Sequence, residues 1–103
     1  MMKAIINRKL YNTETAEELG NRTNECSASD FNYVCETLYR KHNGEFFLLG
    51  HGGARSVYSC RCDDGSLRGG TKIIPLTLEQ AQKWAEEYLD ADDYMLTFGL
   101  VFE

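Results

Sequence analysis

The stretch that most constrains the fold is NGEFFLLG, at positions 43–50. Asn43 and Gly44 are a strong signal for a two-residue hairpin turn, because both residue types tolerate the positive φ that such turns require. The residues that follow, 46–49, are apolar at every position, so a strand here has apolar side chains on both of its faces. The pattern therefore predicts a strand in the interior of a sheet, with both faces covered.

Other segments supply the remaining strands and a short helix. Residues 30–41, DFNYVCETLYRK, are rich in aromatic and β-branched types and predict a strand that ends at the turn. Residues 13–20, TETAEELG, carry early acids and a terminal glycine, which predicts a short helix, and the polar stretch 20–30 predicts a loop. The other predicted elements are a hairpin over Lys3–Tyr11 that turns at Asn7 and Arg8, a strand at 56–62, a turn that begins at Asp64 and Gly65, and a strand at 71–76.

The C-terminal quarter predicts two helices. Thr77 and Gln80 form a capping box at the start of the first helix. Asp90 can cap a second helix over 91–98, which Gly99 would end. The apolar arc of the first helix is predicted to lie in the core and contains Leu78, Ala81, Trp84, Ala85, Tyr88 and Leu89. The expected fold class is α+β: an antiparallel meander with an N-terminal hairpin, a short helix, and C-terminal helices packed on the sheet.

Length and composition bound the class of protein. The 103 residues predict one domain, 1–103, which is long enough to bury a core without disulfides. No apolar run approaches about 18 residues, so we expect no membrane span. The apolar part of the N-terminus is too short for a secretion signal. We therefore expect a cytoplasmic protein whose four cysteines stay reduced.

The charge of the chain is unevenly distributed. Residues 79–103 carry seven acids and one base, a charge of −6, whereas residues 1–78 carry nine acids and ten bases, a charge of +1. This distribution is unlike that of a nucleic-acid-binding protein. The acids can face the basic surface of a partner that itself binds nucleic acid, or they can form an ordinary solvated helix face. The partner-binding candidates in this segment are Glu79, Glu86, Glu87, Asp90, Asp92 and Asp93.

The glycine-rich stretch GHGGARS, at positions 50–56, allows three interpretations. A phosphate-binding loop needs its glycines at the start of a helix, but a strand pattern follows here and the lysine of a P-loop is missing. A turn is favoured, because glycine tolerates positive φ. A binding loop at the rim of the sheet is the third interpretation, in which His51 and Arg55 would contact a partner.

His51 is also a weak candidate for a general base. Catalysis would require a second group placed to match it, and the candidates are His42, Asp63 and Asp64. The alternative is an exposed histidine without a chemical role. The residues alone do not decide between the two.

The cysteines give little support for a metal site. Cys60 and Cys62 lie on one face of the predicted strand, and Cys26, Cys35 and the two histidines are the other available ligands. Their spacing fits no common zinc module. Half-buried thiols within the sheet are the favoured interpretation, so we expect no metal and no cofactor.

Three segments together resemble a known family. KAIINRKLYNTETAEELG, ETLYRKHNGEFFLLGHGGARSVYS and KIIPLTLEQAQKWAEEYLDADDY cover most of the chain, apart from the 20–30 and 63–70 stretches. They are similar to small proteins that phages, plasmids and conjugative elements of Gram-positive bacteria carry. Some members are anti-CRISPR proteins that inhibit the type II RNA-guided effector nuclease. The chain departs from the family pattern at Arg8, where glycine is common, and at His51, where an acid is common.

This resemblance implies an inhibitor located in the cytoplasm of a bacterial host cell. Its expected partner is the type II CRISPR effector nuclease, with or without the guide RNA, and the step disturbed would be guide-RNA loading or target engagement. One alternative is an enzyme that truncates the guide RNA when the effector is bound. Another is a generic protein-interaction module of a mobile element.

Overall fold

The computed structural model describes residues 2–24, 26, 27 and 29–99. Within these residues the chain forms three antiparallel sheets and two helices. The main sheet has four strands in the order β3-β4-β5-β8, and two separate hairpins are formed by β1 with β2 and by β6 with β7. The elements are β1 Lys3–Ile6, β2 Lys9–Asn12, β3 Glu17–Thr23, β4 Val34–Arg40, β5 Phe46–Gly52, β6 Cys60–Arg61, β7 Leu67–Arg68, β8 Gly70–Leu76, α1 Leu78–Tyr88 and α2 Ala91–Phe98. This architecture confirms the α+β class.

β5 lies in the interior of the main sheet, as its apolar run predicts. It pairs with β4 on one side and with β8 on the other. Phe46 and Leu48 face α1, where they contact Trp84 and its alanine neighbours. Phe47 points to the opposite face and packs against Tyr11 of β2, with the two ring centroids 5.4 Å apart. Both faces of β5 are therefore covered, one by the helices and the other by the N-terminal hairpin.

The N-terminal hairpin has the predicted turn. Asn7 and Arg8 have φ values of 52° and 67°, the left-handed conformation that a two-residue hairpin turn requires. The Lys9 ammonium donates to the Glu45 carboxylate at 2.6 Å, and this contact joins the hairpin to the turn between β4 and β5. The hydrogen bond from Lys9, followed by those from Asn43 and Lys41, lowers the pKa of Glu45 to about 2.

The predicted helix at 13–20 is wrong. Residues 17–23 form β3, which pairs along β4 and shortens the predicted 20–30 loop. The register shifts between Glu18 and Gly20, and the bulged residue, Leu19, packs into the core beneath the helices. Gly20 lies directly under the Leu89 side chain, where a Cβ atom would overlap it. Pairing with β4 and contact with the helices therefore override the local helix pattern.

The predicted strand at 56–62 is also largely wrong, because only Cys60–Arg61 is extended. Residues 56–59 form a turn in which the Ser59 N–H donates to the Ser56 carbonyl at 3.2 Å. Tyr58 within this turn is 1% exposed. Burial of its ring draws the segment out of the plane of the main sheet. The predicted turn at Asp64 and Gly65 is present and joins β6 to β7.

Both C-terminal helices begin and end where the sequence predicts. The Thr77 and Gln80 side chains form the capping box of α1, Asp90 caps α2, and Gly99 ends it. Arg40 of β4 ties α2 to the sheet by donating to the Thr97 carbonyl at 3.1 Å. The predicted apolar arc is wrong at Leu78 and Tyr88, which are 55% and 36% exposed. Within the part of the chain that the structure describes, no helix is long and apolar enough to span a membrane.

Candidate functional site

The outer surface of α1 and α2 carries the acidic candidates from the sequence. All six carboxylates, on Glu79, Glu86, Glu87, Asp90, Asp92 and Asp93, belong to exposed residues. Lys83 is the one base among residues 78–99. None of the six acids forms an ion pair with another described residue. Glu103, which contributes to the charge of the C-terminal segment, lies outside the described residues.

An apolar cleft lies between the two helices on this acidic surface. Its volume is about 340 Å³. The cleft exists because α1 ends in an extended residue, Leu89, before Asp90 caps α2, and because the flanking residues Ala85 and Ala91 are small. The lining residues are Ala85, Glu86, Leu89, Asp90, Ala91, Tyr94 and Met95. The described residues therefore combine an apolar floor with carboxylates at the rim.

Beneath α1, on the inner side of the helix, a buried carboxylate holds the elements together. Glu36 of β4 is 8% exposed and accepts hydrogen bonds from three side chains. Arg22 Nε of β3 donates at 2.8 Å, Trp84 Nε1 of α1 donates at 3.0 Å, and the Tyr58 hydroxyl donates as well. The Arg22 guanidinium also lies 4.2 Å from the centre of the Tyr88 ring. One carboxylate thus connects two strands, a helix and the 56–59 turn.

Hydrogen bonding keeps this carboxylate ionised. Burial by itself would raise the pKa of Glu36, but the donors Tyr58, Trp84 and Arg22 favour the charged form and hold the pKa below its ordinary value. Burial also raises the pKa of Tyr58, and the Glu36 charge raises it further, so the phenol remains a neutral donor. The group therefore has a structural role in the interior of the domain.

The GHGGARS stretch differs from the predicted turn. Residues 50–52 are the last three residues of β5, and the chain leaves the strand at Gly53. Positive φ is absent at Gly50, Gly52 and Gly53. Small size is required instead, because a Cβ atom at Gly50 would overlap the Tyr58 ring and one at Gly52 or Gly53 would overlap backbone carbonyls of residues 30–33. The glycines allow close packing rather than an unusual backbone angle.

His51 lies in a strand and not in a loop. It is exposed and pairs in register with Cys35 and Thr71, and its ring centroid lies 5.6 Å from that of Tyr33. A hydrogen bond with the Cys35 side chain raises the pKa of Tyr33. A cavity of about 420 Å³ opens beside the two rings, with Phe31 and Arg68 among its lining residues. Arg55 is exposed in the loop that follows β5, and its backbone N–H donates to the Phe31 carbonyl at 2.8 Å.

The two histidines among the catalytic candidates, His42 and His51, lie far apart. His42 belongs to the turn before β5 and lines a separate pocket beside Leu10 and Lys41. Five residues of β5, 46–50, separate this turn from His51, and they span roughly 17 Å. Asp63 and Asp64 belong to the turn between β6 and β7, where Asp64 accepts hydrogen bonds from Ser66 that lower the pKa of its carboxyl.

All four cysteines are half-buried free thiols. Cys35 lies in β4 and Cys60 in β6, while Cys26 and Cys62 lie outside strands. Among the residues that the structure describes, no three His, Cys, Asp or Glu side chains are grouped so that they could hold a metal ion.

Sequence reasoning missed two features of this region. The first is the set of hydrogen bonds to Glu36. The sequence feature that could have indicated it is a single acid among apolar and aromatic residues of the β4 segment, because a buried acid needs hydrogen-bond donors. The second is the cleft between the helices, for which no local signal exists because Ala85 and Met95 meet only after α1 and α2 fold together.

A comparison of the chain with protein-family models, curated proteins and solved structures gives no match.

Proposed function

We propose that this protein is a stoichiometric inhibitor that binds a type II RNA-guided effector nuclease through the outer surface of α1 and α2. The observation that carries the proposal is the combination, on one surface, of an apolar cleft with exposed carboxylates that form no ion pair with another described residue. Protein-binding sites commonly join an apolar centre to a polar rim. The partner is suggested by the resemblance of three long segments to the anti-CRISPR family.

The chemistry of the expected partner complements this surface. Type II effectors hold the guide–target duplex in a positively charged channel. Residues 78–99 carry six acids and one base, a charge of −5, and would be attracted to such a channel. Because the charge of the whole chain is also only −5, the acids form one local patch and do not imitate the continuous charge of DNA. Electrostatic attraction of this kind mainly increases the association rate and weakens as salt is added.

The test is co-elution of the protein with a type II effector, with and without guide RNA, together with titration of target-DNA cleavage. We expect a complex, and we expect complete inhibition once inhibitor and effector are equimolar. A variant with Glu86→Gln, Glu87→Gln and Asp92→Asn should associate at least tenfold more slowly at low salt. Its matched control carries Glu14→Gln, Glu18→Gln and Asp63→Asn, which remove the same charge from exposed positions elsewhere.

Two outcomes contradict the proposal. Failure to co-elute with the effector in any loading state rules out direct binding. Equal slowing by both triple variants shows that net charge matters and the helical surface does not.

A second candidate is truncation of the guide RNA, which the cavity beside His51 favours. The exposed His51 and Arg68 and the half-buried Tyr33 line this cavity, so it contains a proton-transfer group and a cation. Under this alternative, guide RNA incubated with effector and protein becomes shorter on a gel. His51→Ala would then lower the cleavage rate at saturation about a hundredfold, and excess protein would not restore it. Guide RNA that stays intact while cleavage of target DNA is blocked supports inhibition by binding.

A further inference from the structure

We propose that the cleft between α1 and α2 receives a basic amphipathic α-helix of the partner protein. In this arrangement one apolar side chain of the partner helix enters the cleft, and arginines on either side of it pair with Glu86 and Asp90. The inference deepens the proposed function and rests on it, because it names the chemistry of the segment that the acidic surface would bind.

The cleft has the size and lining of a pocket for an apolar side chain. Its volume of about 340 Å³ is at the lower end of the range for ligand pockets. The floor is apolar and the two rim residues that carry charge are Glu86 of α1 and Asp90 between the helices. Met95, which lines the cleft, is 36% exposed, and its chain neighbour Leu96 is 84% exposed. A larger partner than a small molecule can therefore cover this region.

Charge complementarity decides what kind of partner fits. None of the described residues that line the cleft is a base, and Lys83 is the one base in the two helices. Nucleic acid and acidic peptides would be repelled by the carboxylates, and a second copy of this surface would be repelled for the same reason. Arginine suits the rim because its planar guanidinium binds a carboxylate through two hydrogen bonds.

The geometry favours a helical segment among basic segments. Helices that bind in grooves insert anchors spaced three or four residues apart, and adjacent polar residues meet the rim. Glu86 and Asp90 both line the cleft, Glu86 from α1 and Asp90 from the junction between the helices. A partner helix that crosses the junction can place an arginine near each acid while its leucine or phenylalanine occupies the floor.

The test uses synthetic helix-forming peptides as probes. The probe carries leucine at positions i and i+4, arginines beside them and alanine elsewhere. One control peptide replaces the leucines by serine, and the other replaces the arginines by glutamine. Binding is measured by fluorescence anisotropy at fixed ionic strength, and contact with the cleft is followed by NMR through the Met95 methyl group. We expect the probe to bind at least tenfold more tightly than either control and to shift the Met95 resonance.

Variants that keep the charge separate the cleft from simple electrostatic attraction. Ala91→Phe fills the cleft and Met95→Gln makes its floor polar, while every carboxylate remains. Each should weaken probe binding at least tenfold. Ile5→Phe is the matched control, because Ile5 is 76% exposed on the N-terminal hairpin, on the opposite side of the sheet. Thermal unfolding identifies variants that do not fold, and Met95→Gln carries the test if Ala91→Phe is one of them.

The outcomes separate this inference from the proposed function. If the folded cleft variants bind the probe as well as the unchanged protein does, the inference is wrong. If the effector co-elutes but the probe does not bind, the inference fails and the proposed function stands. If the probe binds in the cleft but no effector co-elutes, the proposed function fails and the cleft remains a site for a basic helix of another protein.

Discussion

The inner and outer sides of α1 use carboxylates in opposite ways. On the inner side, the buried Glu36 accepts hydrogen bonds from Arg22, Trp84 and Tyr58. On the outer surface of α1 and α2, six carboxylates are exposed, and none forms an ion pair with another described residue. A buried charge is tolerated only when its hydrogen-bonding capacity is used, whereas a solvated charge is free to bind a partner. The inner acid therefore stabilises the fold, and the outer acids are the ones that we propose bind a partner.

The largest expected effect comes from Glu36→Ala. The change leaves the Trp84 N–H, the Tyr58 hydroxyl and the Arg22 guanidinium without their acceptor, and we expect a loss of roughly 3–5 kcal/mol. A domain of this size has about 5–15 kcal/mol of stability, so the variant should be close to unfolding. Denaturant unfolding followed by circular dichroism measures the loss. Glu18→Ala, at an exposed position of β3, is the control, and an equal loss in both variants would contradict the structural role.

Substitutions at Trp84 separate packing from hydrogen bonding. Trp84 is 7% exposed, and Trp84→Ala should cost roughly 3–5 kcal/mol because it removes a large core side chain. Trp84→Phe keeps an aromatic ring but removes the donor to Glu36, and it should cost roughly 1–3 kcal/mol. Equilibrium unfolding gives both values. If Trp84→Ala unfolds at the same denaturant concentration as the unchanged protein but no longer binds the effector, Trp84 is an interface residue and the core assignment is wrong.

Gly50→Ala tests the close packing that positions Tyr58. The added methyl group would overlap the Tyr58 ring and displace its hydroxyl from Glu36, at a cost of roughly 1–3 kcal/mol. In a Tyr58→Ala background the same change should cost little, because the obstructing ring is gone. Unfolding free energies of the two single variants and the double variant measure this coupling. An unchanged cost in the double variant would show that Gly50 is required for another reason.

The pH dependence of stability should reveal Glu36 as a charged group. Its pKa is lowered in the folded protein, so its contribution is fully present above the ordinary value of 4.5 and is lost as pH falls through the folded pKa. We therefore expect the stability advantage over Glu36→Gln to be constant above about pH 5 and to shrink below pH 4.5. Glu45 and Asp64 titrate alike in both proteins, so their contributions to stability cancel when the two proteins are compared. An advantage that grows on acidification would contradict the lowered pKa.

The smallest effect on stability is expected on the outer side. Glu86→Gln combined with Glu87→Gln should move the melting temperature by less than about 4 °C, since neither carboxylate has a partner to lose among the described residues. The same pair should reduce the salt dependence of effector association. Differential scanning calorimetry and association rates at two salt concentrations measure the two effects. A large loss of stability would show that the outer acids also hold the fold.

Several elements could be predicted because their causes lie within a few residues. Asn7 suits the left-handed conformation of the first hairpin turn, although Arg8 stands where glycine would cost less. Thr77 and Gln80 close a capping box across a single helical turn. The apolar run of β5 requires cover on both faces whatever provides it. Local residue types are therefore sufficient to predict the central strand, the first hairpin, both C-terminal helices and the concentration of acids on those helices.

Features that depend on distant parts of the chain could not be predicted, because they form only when the elements pack together. Residues 17–23 became β3 because β4 offers a complete edge for pairing and Leu89 closes over Gly20. Tyr58 lies in a turn and not in the predicted strand because its hydroxyl donates a hydrogen bond to Glu36, which is 22 residues away in the chain. The cleft exists only where α1 and α2 meet. The physical reason is that backbone turns and caps are satisfied by adjacent residues, whereas burial, hydrogen-bond partners of a buried charge and clefts are set by which elements pack together.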